Sequence, residues 1–492
     1  MVEHLPALQV VLPLVSAPVI VLVRRPAFGW LLATAASWVS LAISIALFVQ
    51  VLDAGVISYA LGNWPPPWGI EYRVDALNAF VLVLVSLTAA IVAPYAGISI
   101  AAELPRDREY LLFAMFCLCL AGLLGIAITG DVFNLFVFLE ISSLATYVMI
   151  ALGRRRQALV AAYQYLVLGT IGATFYVIGI GLLYLMTGTL NIADLAVRLA
   201  DVGEVRPVLA ALAFITVGIG LKLALFPLHV WLPNAYAYAP SMVTAFLAAT
   251  ATKVSVYVLL RFYFTVFDPN TLFDRLPTHG VLIALSVAAM VSMSLVAVFQ
   301  RDLKRLFAYS SVAQIGYITL GIGIENQASL TGSVVHLLNH GVTKGAIFLL
   351  LGGVALRCGD AGFDRVAGLG RRMPLTAFGV VVGGLSLIGI PGTAGFISKW
   401  YLILGAIDAG HWWLAAVIVG SSLIAVAYVW RFVEAAYLQP PGAASVKAGE
   451  APATMLVCAW VLVAGCIYLG FETSFSVGGA SHAAALLLGG AR

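Results

Sequence analysis

Runs of about twenty apolar residues, the length that crosses a hydrocarbon core, recur from one end of the chain to the other. Sliding that length along the sequence gives fourteen candidate spans: 5 to 23, 28 to 51, 75 to 101, 109 to 129, 131 to 152, 158 to 187, 208 to 230, 235 to 264, 279 to 299, 301 to 324, 329 to 356, 375 to 405, 411 to 438 and 452 to 470. No connection is long enough for a soluble domain, so the pattern predicts an all-α polytopic membrane protein. The spans at 109, 131, 235 and 301 begin almost where their predecessors stop, which leaves a count of thirteen open.

Two spans carry breakers at corresponding places. The seventh reads "ITVGIGLKLALFPLHVWLP", with Pro227 five residues after Lys222, and the twelfth reads "GGLSLIGIPGTAGFISKWYL", with Pro391 eight residues before Lys399. Proline breaks the hydrogen-bond ladder, and in a membrane a loosened turn is tolerated where it lines a protein cavity. Interrupted helices at matching positions point to an inverted repeat around a transport path. Four segments are expected: spans one to three over 1 to 108, a first repeat over 109 to 264, a second over 279 to 438, and the last span with its tail over 452 to 492. That pairing equates Lys222 with Lys399.

Charge adds orientation. Of 26 Lys and Arg, 16 fall in the connections from odd to even spans and 6 on the other side. The positive-inside rule then puts both termini on the non-cytoplasmic face of the plasma membrane. The remaining four, Lys222, Lys253, Lys344 and Lys399, lie within spans. Buried charges are costly, so they usually face a protein interior or a water cavity and take part in transport. Snorkelling to the headgroups is the competing reading, weakest for Lys222 and Lys344, about fourteen and fifteen residues into their spans. Only Glu140, in "DVFNLFVFLEISSLATYVMI", is an acid at comparable depth. Beside a lysine it can stay ionised, which makes a Glu140 to Lys222 pair the natural proposal. A neutral Glu140 hydrogen-bonded between helices is the alternative. Glu434 lies three residues after Arg431 and is expected to form a local ion pair with it.

The eleventh span contains "HLLNHGVTKGAIFLLLGG", in which His336, His340 and Lys344 recur every four residues and so share one helix face. Imidazole both takes and gives protons near neutral pH, so this face suits the middle of a proton relay. Two other readings stand beside it: hydrogen bonds to neighbouring helices, and metal ligation, for which no further ligand cluster is visible.

Composition excludes other classes. With 62% hydrophobic and 10% charged residues, a mean hydropathy of +1.04 and a net charge of only +4, the chain has no basic patch for nucleic acid. The five cysteines lack zinc or cluster spacing and read as packed thiols. The N-terminal stretch lacks a basic region ahead of its apolar run and reads as the first membrane helix, not a removed signal peptide. No phosphate loop, dinucleotide fingerprint, nucleophile elbow or haem attachment motif is present. The expectation is a secondary transporter subunit, not an enzyme acting alone, with no cofactor or metal.

The strings "GDVFNLFVFLEISSLATYVMIAL", "LKLALFPLHVWLPNAYAYAPSMVTAFLAATATKVSVYVLLR", "QRDLKRLFAYSSVAQIGY", "HGVTKGAIFLLLGG" and "GIPGTAGFISKWYL" resemble the antiporter-like subunits of respiratory complex I, membrane-bound hydrogenases and multisubunit Mrp cation/proton antiporters. The resemblance covers roughly residues 75 to 435 and is strongest to the D-type subunits of Mrp, through "LPNAYAYAP" and the lysine in the twelfth span. It implies fourteen helices with two inverted five-helix repeats. It also implies roles: Glu140 and Lys222 as a charge-switching pair, Lys253 as the central relay, His336, His340 and Lys344 as its continuation, and Lys399 as the terminal proton carrier. Lys304 and His229 match family positions, the latter with a structural role as an equal alternative. Many relatives have a histidine after "AYSS", where Gln314 stands here and cannot carry a proton. The implied function is proton translocation within a Na+/H+ antiporter, among other hydrophobic membrane subunits that largely handle sodium. The alternative is the proton-pumping arm of a redox-driven complex.

Overall fold

Among the described residues, five helix starts are capped by a polar side chain, those of Asp75, Asp131, Asn191, Asp302 and Asn326. The computed structural model describes residues 2–203, 205–267, 269, 272–273, 276–442 and 449–489; Arg275, Lys447 and Arg492, counted in the charge asymmetry, lie outside them. The chain begins with α1 (Leu5–Val23), α2 (Pro26–Ala54) and α3 (Ala76–Glu103). The segment expected as the first repeat holds α4 (Arg106–Ile128), α5 (Val132–Ala151), α6 (Arg156–Thr187), α7 (Ile192–Val202), α8 (Arg206–Leu223), α9 (Trp231–Tyr238), α10 (Ser241–Ala249) and α11 (Ala251–Arg261). That expected as the second holds α12 (Thr278–Val298), α13 (Leu303–Ile324), α14 (Gln327–Cys358), the single turn α15 (Phe363–Val366), α16 (Pro374–Ile388), α17 (Ala394–Asp408) and α18 (Trp412–Val433), followed by α19 (Ala453–Phe471) and α20 (Ser474–Leu487). Among the described residues, thirteen helices are long and apolar enough to cross a membrane. The twelfth predicted span is divided between α16 and α17, 15 residues each, and a fourteenth crossing is reached if Phe363–Arg371 and Pro374–Ile388, bent by 109°, form one span.

The repeats carry matching local marks. The Asp131 carboxylate accepts from the Asn134 N–H at 2.6 Å to cap α5, and Asp302 accepts from the Arg305 N–H at 3.0 Å to cap α13. Each aspartate also makes an antiparallel bridge to the segment beyond the next long helix, Asp131 to Asn191 and Asp302 to Gly362. Both repeats end in a π turn, Phe262–Val266 and Glu434–Leu438.

Among the described residues three spans are interrupted, one more than the sequence predicts. The seventh stops at Leu223 instead of reaching 230, because Ala224 turns into the left-handed region (φ 60°) and Pro227, after a cis bond, offers no N–H to continue. The twelfth breaks from Gly389 (φ +89°) to Thr393. The eighth, read as continuous from 235 to 264, starts only after Pro240 and breaks at Thr250, with no glycine or proline at the break. Here Lys253 Nζ donates to Ala248 O, and Thr250 Oγ1 donates to Phe246 O at 2.7 Å beside the Thr250 backbone N–H.

Gly395 shows how tightly the twelfth break is packed. A methyl group at that position would lie 1.8 Å from the Ser386 carbonyl oxygen, which is backbone and cannot swing away. Gly395→Ala is therefore expected to cost about 1–3 kcal/mol or more by overpacking. Thermal unfolding of the detergent-solubilised protein should show a melting temperature several degrees lower, and an unchanged one would refute this close approach.

Several elements have no sequence forecast. The connection after α2 forms an antiparallel hairpin, β1 (Ile57–Ala60) with β2 (Glu71–Val74), in register Ile57 to Val74. Its Glu71 is buried, accepting from Ser58 Oγ and Asn191 Nδ2. α7 is a short amphipathic helix with Ile192, Leu195 and Leu199 inward and an Asp194–Arg198 ion pair of 2.9 Å. The tail expected after the last span is largely the helix α20, which packs on α14 and α3. α14 itself is enclosed, with an almost unbroken buried run from Ser329 to Val354.

Candidate functional site

Glu140 and Lys222, 82 residues apart in sequence, meet between α5 and the end of α8. Lys222 Nζ lies 3.4 Å from Glu140 Oε1 and donates to Ser143 Oγ at 2.6 Å. Ser143 stands three residues after Glu140, so both share one face of α5. The lysine side chain is 5% exposed but the glutamate is 25% exposed, so the carboxylate borders the outside of the chain while its partner faces inward. Beside the ammonium is a cavity of about 20 Å3, lined in part by Ser142, Thr146, Ala251 and Ser255, with room for one water. It leads from Lys222 toward the break at Thr250.

At that break Lys253, 1% exposed, turns its ammonium back to the carbonyl of Ala248, where the C-terminal end of a helix dipole favours a cation. His340 lies within electrostatic reach of Lys253, Lys344 and His336. Both its ring nitrogens are buried without a hydrogen-bond partner among the described residues. Lys344, with no exposed surface, donates to Phe307 O at 2.7 Å and to Ser310 Oγ. The His336 and His340 rings stack with centroids 5.8 Å apart, as one helix face requires. His336 Nδ1 meets Ser398 Oγ at 2.8 Å, and Asn339 Nδ2 donates to Ala394 O at 2.6 Å, which binds α14 to α17.

Lys399 closes the row. Its ammonium donates to Leu387 O and Ile388 O at 2.8 and 3.0 Å, the last carbonyls of α16, and to Ser422 Oγ at 2.8 Å. It also lies 4.4 Å above the Tyr317 ring, a cation–π contact. All four lysines are at most 5% exposed, which excludes snorkelling within this chain.

Other expectations need correction. Lys222 and Lys399 are not equivalent in position, since Lys222 ends the half-helix before its break and Lys399 lies on the half after its own. The Lys399 side chain bends back across its gap to the carbonyls ending α16, whereas the Lys222 ammonium turns to Glu140 and Ser143 of α5. Arg431 does not pair with Glu434; its guanidinium donates to Val298 O and Gln300 O, the unpaired carbonyls ending α12. His229 is buried and stacked on Phe226, away from the lysine row's contacts. Lys304 donates to Ser241 Oγ at 3.1 Å, tying α13 to the start of α10. The contacting residues Ser143, Ser398 and Ser422 carry no sequence signal, because serine is common at membrane helix interfaces. A buried ion pair between Asp75, which caps α3, and Arg261 at the end of α11 has no sequence signal either.

Residues 129–425 match the family model described as "NADH:quinone oxidoreductase/Mrp antiporter, TM". The N-type subunit of the NADH-quinone oxidoreductase of Desulforudis audaxviator is 43% identical over 96% of this chain and 96% of its own length. The D-type subunit of the Na+/H+ antiporter of Alkalihalophilus pseudofirmus is 32% identical over 78% of this chain and 76% of its own. Among solved structures, a chain of the Mrp complex from Dietzia superposes with a TM-score of 0.91 at 26% identity, covering 100% of this chain and 98% of that one. The chain is therefore a multi-pass membrane protein that belongs to the NADH:quinone oxidoreductase/Mrp antiporter family, as one of its antiporter-like subunits.

Proposed function

We propose that this chain moves protons along the row from Lys222 through Lys253, His340, Lys344 and His336 to Lys399, as a subunit of a Mrp-type Na+/H+ antiporter in the plasma membrane. The observation that carries the reading is the row itself: four enclosed lysines and two histidines, with a carboxylate at one end. Separating Glu140 from Lys222, by a helix shift or a nearby cation, would weaken the lysine's hold on its proton and favour transfer toward Lys253. One water beside Lys222 is enough to begin the path. The repeats at 109 to 264 and 279 to 438 would act as its two halves, with both termini on the non-cytoplasmic face.

Glu140 also bears on partners. A carboxylate a quarter exposed at mid-span is costly against lipid, so a neighbouring hydrophobic subunit is the expected cover. A second reading, a proton-pumping subunit of a redox-driven complex, is favoured by the 43% identity to a protein named for quinone oxidoreduction. Lys399 mildly favours the antiporter reading, because some complex I relatives have glutamate there.

Extraction in mild detergent followed by mass identification of companion chains separates the two. The antiporter reading expects small hydrophobic subunits without redox centres, together with sodium-dependent proton movement in everted vesicles. Iron–sulfur or hydrogenase subunits in the same particle would replace it with the redox reading.

A further inference from the structure

The row of lysines and histidines leaves a polar face of α13 unused. Ser310, Gln314 and Tyr317, spaced i, i+4 and i+7, line one side of that helix. Tyr428 of α18 lies against Ser310 and Gln314 and within electrostatic reach of Tyr317. Its hydroxyl is fully buried, and neither it nor the side-chain oxygen of Gln314 makes a hydrogen bond of good geometry among the described residues, although the Ser310 and Gln314 side chains are near enough to form one when it turns.

Both ends of this face meet the lysine row. Lys344 donates to Ser310 Oγ at one end. At the other, the Tyr317 hydroxyl is 3.3 Å from Ser422 Oγ, which accepts from Lys399 at 2.8 Å. We infer that Ser310, Tyr428, Tyr317 and Ser422 form a second, hydroxyl-lined proton route between Lys344 and Lys399, parallel to the step through His336.

Transfer along it changes no hydroxyl's net charge. Each hydroxyl oxygen accepts a proton on a lone pair and releases its own hydrogen forward, so one proton leaves Lys344 and one arrives at Lys399. The hydroxyls then turn to reset, and Gln314 Oε1 offers the Tyr428 hydrogen an acceptor in the turned position. A bridging water between Tyr428 and Tyr317 would have those two hydroxyls and the Gln314 amide as partners. The amide cannot titrate, so it orients the route without trapping the proton.

The inference rests on the relay reading, and its test keeps the two apart. Tyr428→Phe is introduced into the intact complex, which is reconstituted in vesicles and assayed for proton exchange beside Lys344→Ala and wild type. The expected result is an exchange rate about twofold lower for Tyr428→Phe, since the step through His336 remains, with an unchanged or higher melting temperature. Adding Gln314→His should recover part of the rate, by supplying a group that both donates and accepts at the same place. Wild-type exchange in Tyr428→Phe with an inactive Lys344→Ala would overturn the second route while leaving the relay standing. Wild-type exchange in both would overturn the relay as well. A rate loss accompanied by a lower melting temperature would assign Tyr428 a packing role and also overturn the inference.

Discussion

Replacing Glu140 by alanine is expected to abolish ion exchange while leaving the protein folded and assembled. The carboxylate is the acidic end of the lysine row, 3.4 Å from Lys222 Nζ, and its charge is what favours a proton on that lysine. Without it Lys222 would lose its ionic partner, and the alternation between a paired and a released state would have no driving contact. The fold should tolerate the loss. Glu140 is 25% exposed, and Lys222 keeps its 2.6 Å hydrogen bond to Ser143. Sodium-dependent proton movement in everted vesicles, read beside the size profile of the detergent-extracted complex, checks both halves. Exchange at the wild-type rate would remove Glu140 from the mechanism, and Glu140→Gln should resemble alanine because it keeps the shape but not the charge.

Lys344→Ala carries the second large effect, an expected loss of at least about tenfold in exchange rate. Lys344 stands where the histidine face of α14 meets Ser310 on α13, so both routes to Lys399 leave from it. Alanine also opens a cavity and removes the ammonium's 2.7 Å hydrogen bond to the Phe307 carbonyl, which keeps those from the Ser310 and Ser311 hydroxyls. Lys344→Met therefore belongs beside it, since methionine retains much of the volume and removes only the charge. If the Met variant loses transport and remains assembled, the proton-carrying group is what was lost. Transport that survives in both variants with unchanged pH dependence would mean that the central path runs elsewhere in the chain.

Neither expected loss depends on the choice between antiporter and redox-driven pump. Both variants interrupt the same internal row, so both should fail whichever energy source drives it. Only the companion subunits and the sodium dependence distinguish the sources. The 25% exposure of Glu140 gives the neighbour a place to act, because a subunit covering α5 could change the field at the carboxylate without entering the row.

Much of this protein is local in character and therefore readable in one dimension. Span length follows from bilayer thickness, and the breaks at Pro227 and Gly389 follow from missing N–H groups and positive φ. The shared face of His336, His340 and Lys344 follows from the helical period alone. What the sequence could not carry depends on packing between distant segments. The break at Thr250 has no proline or glycine to announce it and is held by Lys253 and Thr250 bonding to carbonyls of α10. That Lys222 precedes its proline and Lys399 follows its own is legible in the sequence, but that the Lys222 ammonium meets α5 while that of Lys399 bends back to the carbonyls of α16 is decided by side-chain reach in the fold. Arg431 takes the carbonyls ending α12 over the nearby Glu434 for the same reason: unpaired carbonyls at a helix end attract a guanidinium strongly. Ser143, Ser398, Ser422 and Tyr428 become visible only in three dimensions. Hydropathy and periodicity report what one helix must bury, whereas the partner of a buried polar group is fixed by where another helix happens to pass.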